Sequence, residues 1–212
     1  SKKDAKVLDF FSGSGTTAHA VMELNAQDGG KREYVLVQIP EQINLDNANY
    51  KTICDLGLTR IKKVIMKMKS RVDSHNFNLG LRVFTLDSSN MDDIFYDPQS
   101  IKKNILEYAA DNIKSDRTGE DLLFQIMLEL GINLSSHIIE ETVSGKQVFS
   151  VDEGYLVACF DSNLDENIIV EIANRKPYYA VFRDSSMSSD AVAINFNEIF
   201  KTYSPNTKTK VL

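Results

Sequence analysis

The segment Val7-Leu8-Asp9-Phe10-Phe11-Ser12-Gly13-Ser14-Gly15-Thr16-Thr17 constrains this chain more than any other, because it reads as a strand running through a glycine turn directly into a helix. Val7 to Phe11 is an apolar run broken by one acid, and Gly13 and Gly15 allow a tight turn and close approach of a ligand to bare backbone. A helix begins at Thr16, and the first N–H groups of a helix have no partner within it, so they face whatever the loop holds. That is the layout of a nucleotide pocket in an α/β protein.

Spacing separates the uses of such a loop. A phosphate-cradling G-x-x-x-x-G-K-[ST] loop is excluded, since no Lys follows Gly15. The dinucleotide fingerprint G-x-G-x-x-G/A is met by Gly13-Ser14-Gly15-Thr16-Thr17-Ala18, which keeps a nicotinamide-dependent dehydrogenase in view. A third pattern, D-x-F-x-G-S-G-T-T, is reproduced in order by Asp9, Phe11, Gly13, Ser14, Gly15, Thr16 and Thr17, and through it the chain resembles the methyl-donor loop of DNA methyltransferases. The donor, S-adenosylmethionine, carries an amino acid group, a ribose and an adenine but no phosphate, which suits a loop without Lys. On this resemblance Asp9 would attract the donor's ammonium group. The backbone of Ser12 to Gly15 would approach its methionine and ribose parts, and Phe10 or Phe11 would supply apolar contact.

A helix is expected over residues 16–25, with Ala18, Val21 and Met22 on its apolar face and an end near Asp28-Gly29-Gly30. The run from Tyr34 to Glu41 is too apolar for a one-faced strand and predicts a central strand of a parallel sheet. Strand, loop, helix and strand make one βαβ unit, in which the residue ending the second strand faces the ribose hydroxyls. Gln38 is the candidate there, with Glu41 beyond Pro40 as the second.

Over most of its length the chain resembles the carboxy-terminal portion of the modification subunit of a type III restriction-modification system. The resemblance rests on residues 9–22, on Asp28-Gly29-Gly30-Lys31-Arg32 followed by Tyr34-Val35-Leu36-Val37-Gln38, and on Gly80-Leu81-Arg82-Val83-Phe84. It continues through Phe182-Arg183-Asp184-Ser185-Ser186 and Asn195-Phe196-Asn197-Glu198-Ile199-Phe200. Such subunits are adenine-specific DNA methyltransferases of the cytoplasm. The resemblance therefore implies S-adenosylmethionine as cofactor, double-stranded DNA as substrate, and a restriction subunit and a second full-length copy as partners. It also implies that catalysis belongs to a D-P-P-Y tetrapeptide upstream of the donor loop, whose polar groups bond the target amine while its aromatic stacks on a flipped base. The nearest segment here, Asp97-Pro98-Gln99-Ser100, lacks the second proline and the aromatic and reads as a turn or helix entry. No catalytic residue is expected, and the chain reads as a piece of a longer polypeptide that does not methylate DNA alone.

With 42% apolar residues, 212 residues suffice to bury a core in one or two domains. No segment approaches the roughly 20 apolar residues of a membrane span, and no signal peptide is apparent. Cys54 and Cys159 read as free thiols, and His19, His75 and His137 have no metal-ligand spacing. Charge is divided: residues 1–88 hold 13 Lys and Arg against 10 Asp and Glu, whereas residues 89–212 hold 11 against 20. Arg60, Lys62, Lys63, Lys67, Lys69 and Arg71 crowd an amphipathic helix whose basic side could meet DNA phosphate or simply solvent.

A strand over Leu79–Leu86 is expected to return to the first sheet, and the boundary between domains falls at 88/89. Beyond it, helices are expected over 101–113 and 119–130, then a meander over 138–143, 147–151 and 155–160. A helix at 166–173, a strand at 178–182, a helix at 189–200 capped by Ser188 or Ser189, and a short terminal strand complete the chain. Asp161 and Asp184, each just past a strand, read as capping and turn residues. The expected architecture is α/β: part of a Rossmann-like methyltransferase sheet in residues 1–88, then a smaller acidic α/β domain in 89–212. The alternatives are a non-catalytic subunit-interaction module and the dehydrogenase domain noted above.

Overall fold

The computed structural model describes residues 2–43, 50–70, 79–92, 112–186 and 190–212. They divide into two compact units, Ser1–Phe84 and Thr85–Leu212.

The first unit is built on β1 (Lys6–Asp9), α1 (Thr16–Asp28), β2 (Glu33–Leu36) and α2 (Ile53–Lys69). The strands are parallel, with Val7 opposite Tyr34 and Asp9 opposite Leu36, so strand, loop, helix and strand form the expected βαβ unit. α1 ends within the expected Asp28-Gly29-Gly30 and stops where Gly29 adopts the left-handed conformation (φ 67°), its N–H returning to the Asn25 carbonyl. α2 begins at Ile53 because Thr52 and Asp55 form a capping box. The Thr52 hydroxyl accepts from the Asp55 N–H (3.2 Å), the Asp55 carboxylate accepts from the Thr52 N–H (2.9 Å), and these bonds hold the carboxyl below its ordinary pKa. Ala18 and Met22 of α1 pack with Ile61, Val64 and Met68 of α2 and with Leu79, over Tyr34 and Leu36 of the sheet.

Two expectations fail here. Among the described residues β2 pairs with β1 alone and is not a central strand, and only Tyr34 and Leu36 turn toward the helices. Val35, Val37 and Ile39 are 56%, 50% and 67% exposed, and Leu8 beside them on β1 is 63% exposed. The run is apolar on both faces, yet the sheet is covered on one. Residues 79–86 also join neither described sheet: Leu79 and Leu81 pack against the helices while Val83, Phe84 and Leu86 remain exposed. Of these side chains Leu79 and Leu81 serve the helix core, and the apolar run as a whole gave the segment its strand-like pattern.

The second unit has a five-stranded mixed sheet in the order β3 (Ile138–Val143), β4 (Lys146–Val151), β5 (Leu156–Cys159), β6 (Tyr179–Phe182), β7 (Lys208–Val211). β3, β4 and β5 are antiparallel neighbours, while β5, β6 and β7 run parallel. The β3–β4 turn, Ser144-Gly145, has positive φ at both residues (49° and 77°), the condition for a two-residue hairpin whose twist matches its strands. α3 (Gly119–Glu129) covers one face with Leu122, Leu123, Ile126 and Met127, against Phe149, Leu156, Ala158 and Val181. α4 (Glu166–Asn174) and α5 (Asp190–Tyr203) connect the parallel strands and cover the other, where Ile168 and Ile172 meet Val157, Cys159 and Ala180. Alternate residues of β5 thus enter opposite cores, the period-two signature of a strand buried on both sides. The helix expected over 101–113 lies outside the described residues apart from Asn112 and Ile113, as do Asp97-Pro98-Gln99-Ser100, His75 and the caps at Ser188 and Ser189. Asp161 does hold a strand edge, accepting from the Gln147 N–H at 2.8 Å, and Asp184 opens a short 3-10 turn.

Candidate functional site

The loop between β1 and α1 is held by the chain on either side of it. Gly13 (φ 51°) and Gly15 (φ 72°) are both left-handed, and the Gly15 N–H donates to the Ser12 carbonyl at 2.8 Å, closing the turn. The extension of β2 supports it from beneath, as the Ser12 N–H donates to the Val37 carbonyl (3.3 Å) and the Gly13 N–H to Gln38 Oε1 (2.8 Å). Gln38, expected at a ribose, therefore directs its oxygen to the loop, while its Nε2 donates to the Ile39 carbonyl. Asp9 accepts the Phe11 N–H at Oδ1 and the Thr17 hydroxyl at Oδ2, tying the strand end to the first turn of α1.

Around this frame lie the parts a ligand could meet. The α1 N-terminus has no side-chain cap and no acidic residue in its first turn, and the anion that faces it is the Asp9 carboxylate, held there by Thr17. Phe10 and Phe11 are 61% and 78% exposed, their ring centroids 5.1 Å apart. Ser14 and Thr16 present hydroxyls, and Arg60 Nη1 of α2 donates to both at 2.9 Å. Of the ten residues expected at the site, six lie in the loop, Asp9 ends β1, Thr16 and Thr17 open α1, and Gln38 lies beneath them.

Sequence reasoning missed what α2 contributes. A Cβ on Gly57 would stand 3.0 Å from the Gly13 carbonyl oxygen, and one on Gly15 would stand 3.0 Å from Ile61 Cδ1, so the helix backbone rests on the loop. The available signal was a glycine inside an otherwise strong helix pattern, four residues before Ile61. Among the described residues, no group of three His, Cys, Asp or Glu could hold a metal ion, and no helix is long and apolar enough to cross a membrane. Both cysteines are free, and burial pushes the Cys159 thiol up to about 11.

No family model matches the chain. It is 43% identical over 84 residues to the Mod subunit of the type III restriction-modification enzyme StyLTI of Salmonella typhimurium, covering 38% of this chain and 13% of that protein. The type II methyltransferase M.KpnI of Klebsiella pneumoniae is 43% identical over 67 residues, 30% of this chain and 16% of the relative. The EcoP15I Mod subunit of Escherichia coli aligns along nearly the whole chain, 28% identical over 207 residues, which are 93% of this chain and 30% of the relative. The chain thus spans less than a third of the length of these relatives. It is similar to restriction-modification methyltransferases. Three of the relatives it matches are Mod subunits of type III enzymes, the likeness that the sequence resemblance anticipates.

Proposed function

We propose that this chain is the methyl-donor-binding region of a site-specific DNA adenine-N6 methyltransferase, the modification subunit of a type III restriction-modification system. In this reading residues 1–88 belong to a Rossmann-like methyltransferase domain, and the acidic residues 89–212 serve contacts with a second modification subunit and a restriction subunit. The single observation that carries it is the loop: two left-handed glycines leading into an uncapped helix with no acid in its first turn. S-adenosylmethionine fits these groups. Its carboxylate suits the α1 N-terminus, its ammonium the remaining lone pairs of Asp9, and its adenine the exposed rings of Phe10 and Phe11. With the Gln38 oxygen given to Gly13, the exposed carboxylate of Glu41 is left for the ribose hydroxyls. When bound, the donor supplies an activated methyl on a sulfonium, and the residues here orient it.

One further fact supports the reading. The bare apolar face of β1 and β2 suits a sheet that further elements of the same domain would cover. A second reading, an idle loop on a subunit-contact module, is favoured by the bonds that Asp9 and Gln38 already make within the loop. Saturation-transfer difference NMR separates the readings. S-adenosylmethionine at millimolar concentration is expected to show transfer that Gly15→Val abolishes. Transfer to NAD in its place, or to neither ligand, would overturn the proposal.

A further inference from the structure

Arg60, Lys63 and Lys67 stand at i, i+3 and i+7 of α2, on one side of the helix beside its buried stripe of Gly57, Ile61, Val64 and Met68. Together with Ser14 of the glycine loop, His19 of α1 and Tyr50, they line a single open groove between the two helices. Among the described residues neither Lys63 nor Lys67 has an ion-pair partner, although the chain as a whole carries a net charge of −6. The one acid of α1 that meets this lining, Glu23, pairs with His19 at 3.5 Å. Two like charges one turn apart repel, so an unneutralised Lys63–Lys67 pair costs stability that an anion in the groove would recover. Arg60 is pre-set for the same purpose, since its bonds to Ser14 and Thr16 hold the guanidinium against the loop.

We infer that this groove is a binding site for the phosphate backbone of duplex DNA, adjoining the donor site and sharing Ser14 with it. The inference rests on the methyltransferase reading for its choice of polyanion. From Arg60 to Lys67 the helix rises about 10 Å, the length of duplex axis that carries roughly three phosphates of one strand at 3.4 Å each. A linear row of cations matches a linear row of charges, and hydroxyls at Ser14 and Tyr50 add neutral donors of the kind that position a backbone without reading its sequence.

The test is fluorescence anisotropy of a labelled DNA duplex against the whole chain across a salt series. Lys63→Gln/Lys67→Gln is compared with Lys62→Gln/Lys69→Gln, which removes equal charge from the same helix outside the groove lining. The groove variant is expected to lower the slope of log K against log salt by roughly 2, with the control pair close to the parent chain. Equal loss in both variants, an unchanged slope in the groove variant, no duplex binding by the chain, or stronger binding of poly-glutamate than of duplex would each overturn the inference. Circular dichroism on both variants confirms the fold. Donor transfer by NMR is read on the same samples, so transfer that persists while the slope is unaffected sinks the groove and spares the donor site.

Discussion

Arg32 is a buried cation, 6% exposed, and its guanidinium survives there because the end of α1 is organised around it. It donates to Asp28 Oδ1 and Oδ2 at 2.9 and 2.8 Å and to Asn25 Oδ1 at 3.2 Å, while Asn25 also bonds the Arg32 backbone in both directions. A side chain at Gly30 would displace the Arg32 guanidinium from these bonds, since a Cβ there would run into Nη1. The Arg32 hydrogen bonds, chiefly, hold the Asp28 carboxyl down to about 2. A carboxyl depressed in the folded state contributes stability above its unfolded pKa and loses it as pH falls through the folded one. The melting temperature of the first unit is therefore expected to exceed that of Asp28→Asn by a constant margin at neutral pH, with the margin shrinking between about pH 4 and pH 2. Circular dichroism melts of the two proteins across that range check this, and a margin independent of pH would refute the assignment.

At the scale of elements, the decisive contact is the crossing of α2 over the glycine loop. Glycine inside a helix costs about 1 kcal/mol relative to alanine, and Gly57 is retained because the Gly13 carbonyl lies against it. Gly57→Val places a branched side chain against backbone that cannot swing aside. Urea unfolding is expected to show a loss of about 1–3 kcal/mol, and an unchanged midpoint would mean that the helix and loop separate freely. This contact also marks where the sequence stops being legible. α1, α3, α4 and the Ser144-Gly145 hairpin could be read because their signals are local: helical spacing, a cap, a glycine pair. The Gln38–Gly13 bond joins residues 25 apart, and Arg60 reaches Ser14 across 46, separations that no periodicity encodes. β2 misled for a different reason. Apolar side chains on both faces state what the strand could bury, whereas the cover on the Val35 face is absent from the described residues.

For the whole molecule the two units differ in how their sheets are secured. β1 and β2 form a two-stranded sheet with helices on one face, and such a pair is marginal without further strands or cover. β5 and β6 have neighbours on both edges and cores on both faces, with Leu156, Ala158, Ala180, Val181 and Phe182 wholly shielded from solvent. Opening free energies follow such differences, from near zero at exposed edges to the global value in a doubly covered sheet. Hydrogen–deuterium exchange of the intact chain is therefore expected to label Leu8 and Val35 amides well before Val157 and Val181 amides. The Leu8 and Val35 amides should gain protection in any longer polypeptide that covers their exposed face. The first comparison tests the fold and the second tests the methyltransferase reading. Early protection of β1 and β2 in this chain would mean that the bare face is already satisfied, and the case for a missing layer would fall with it.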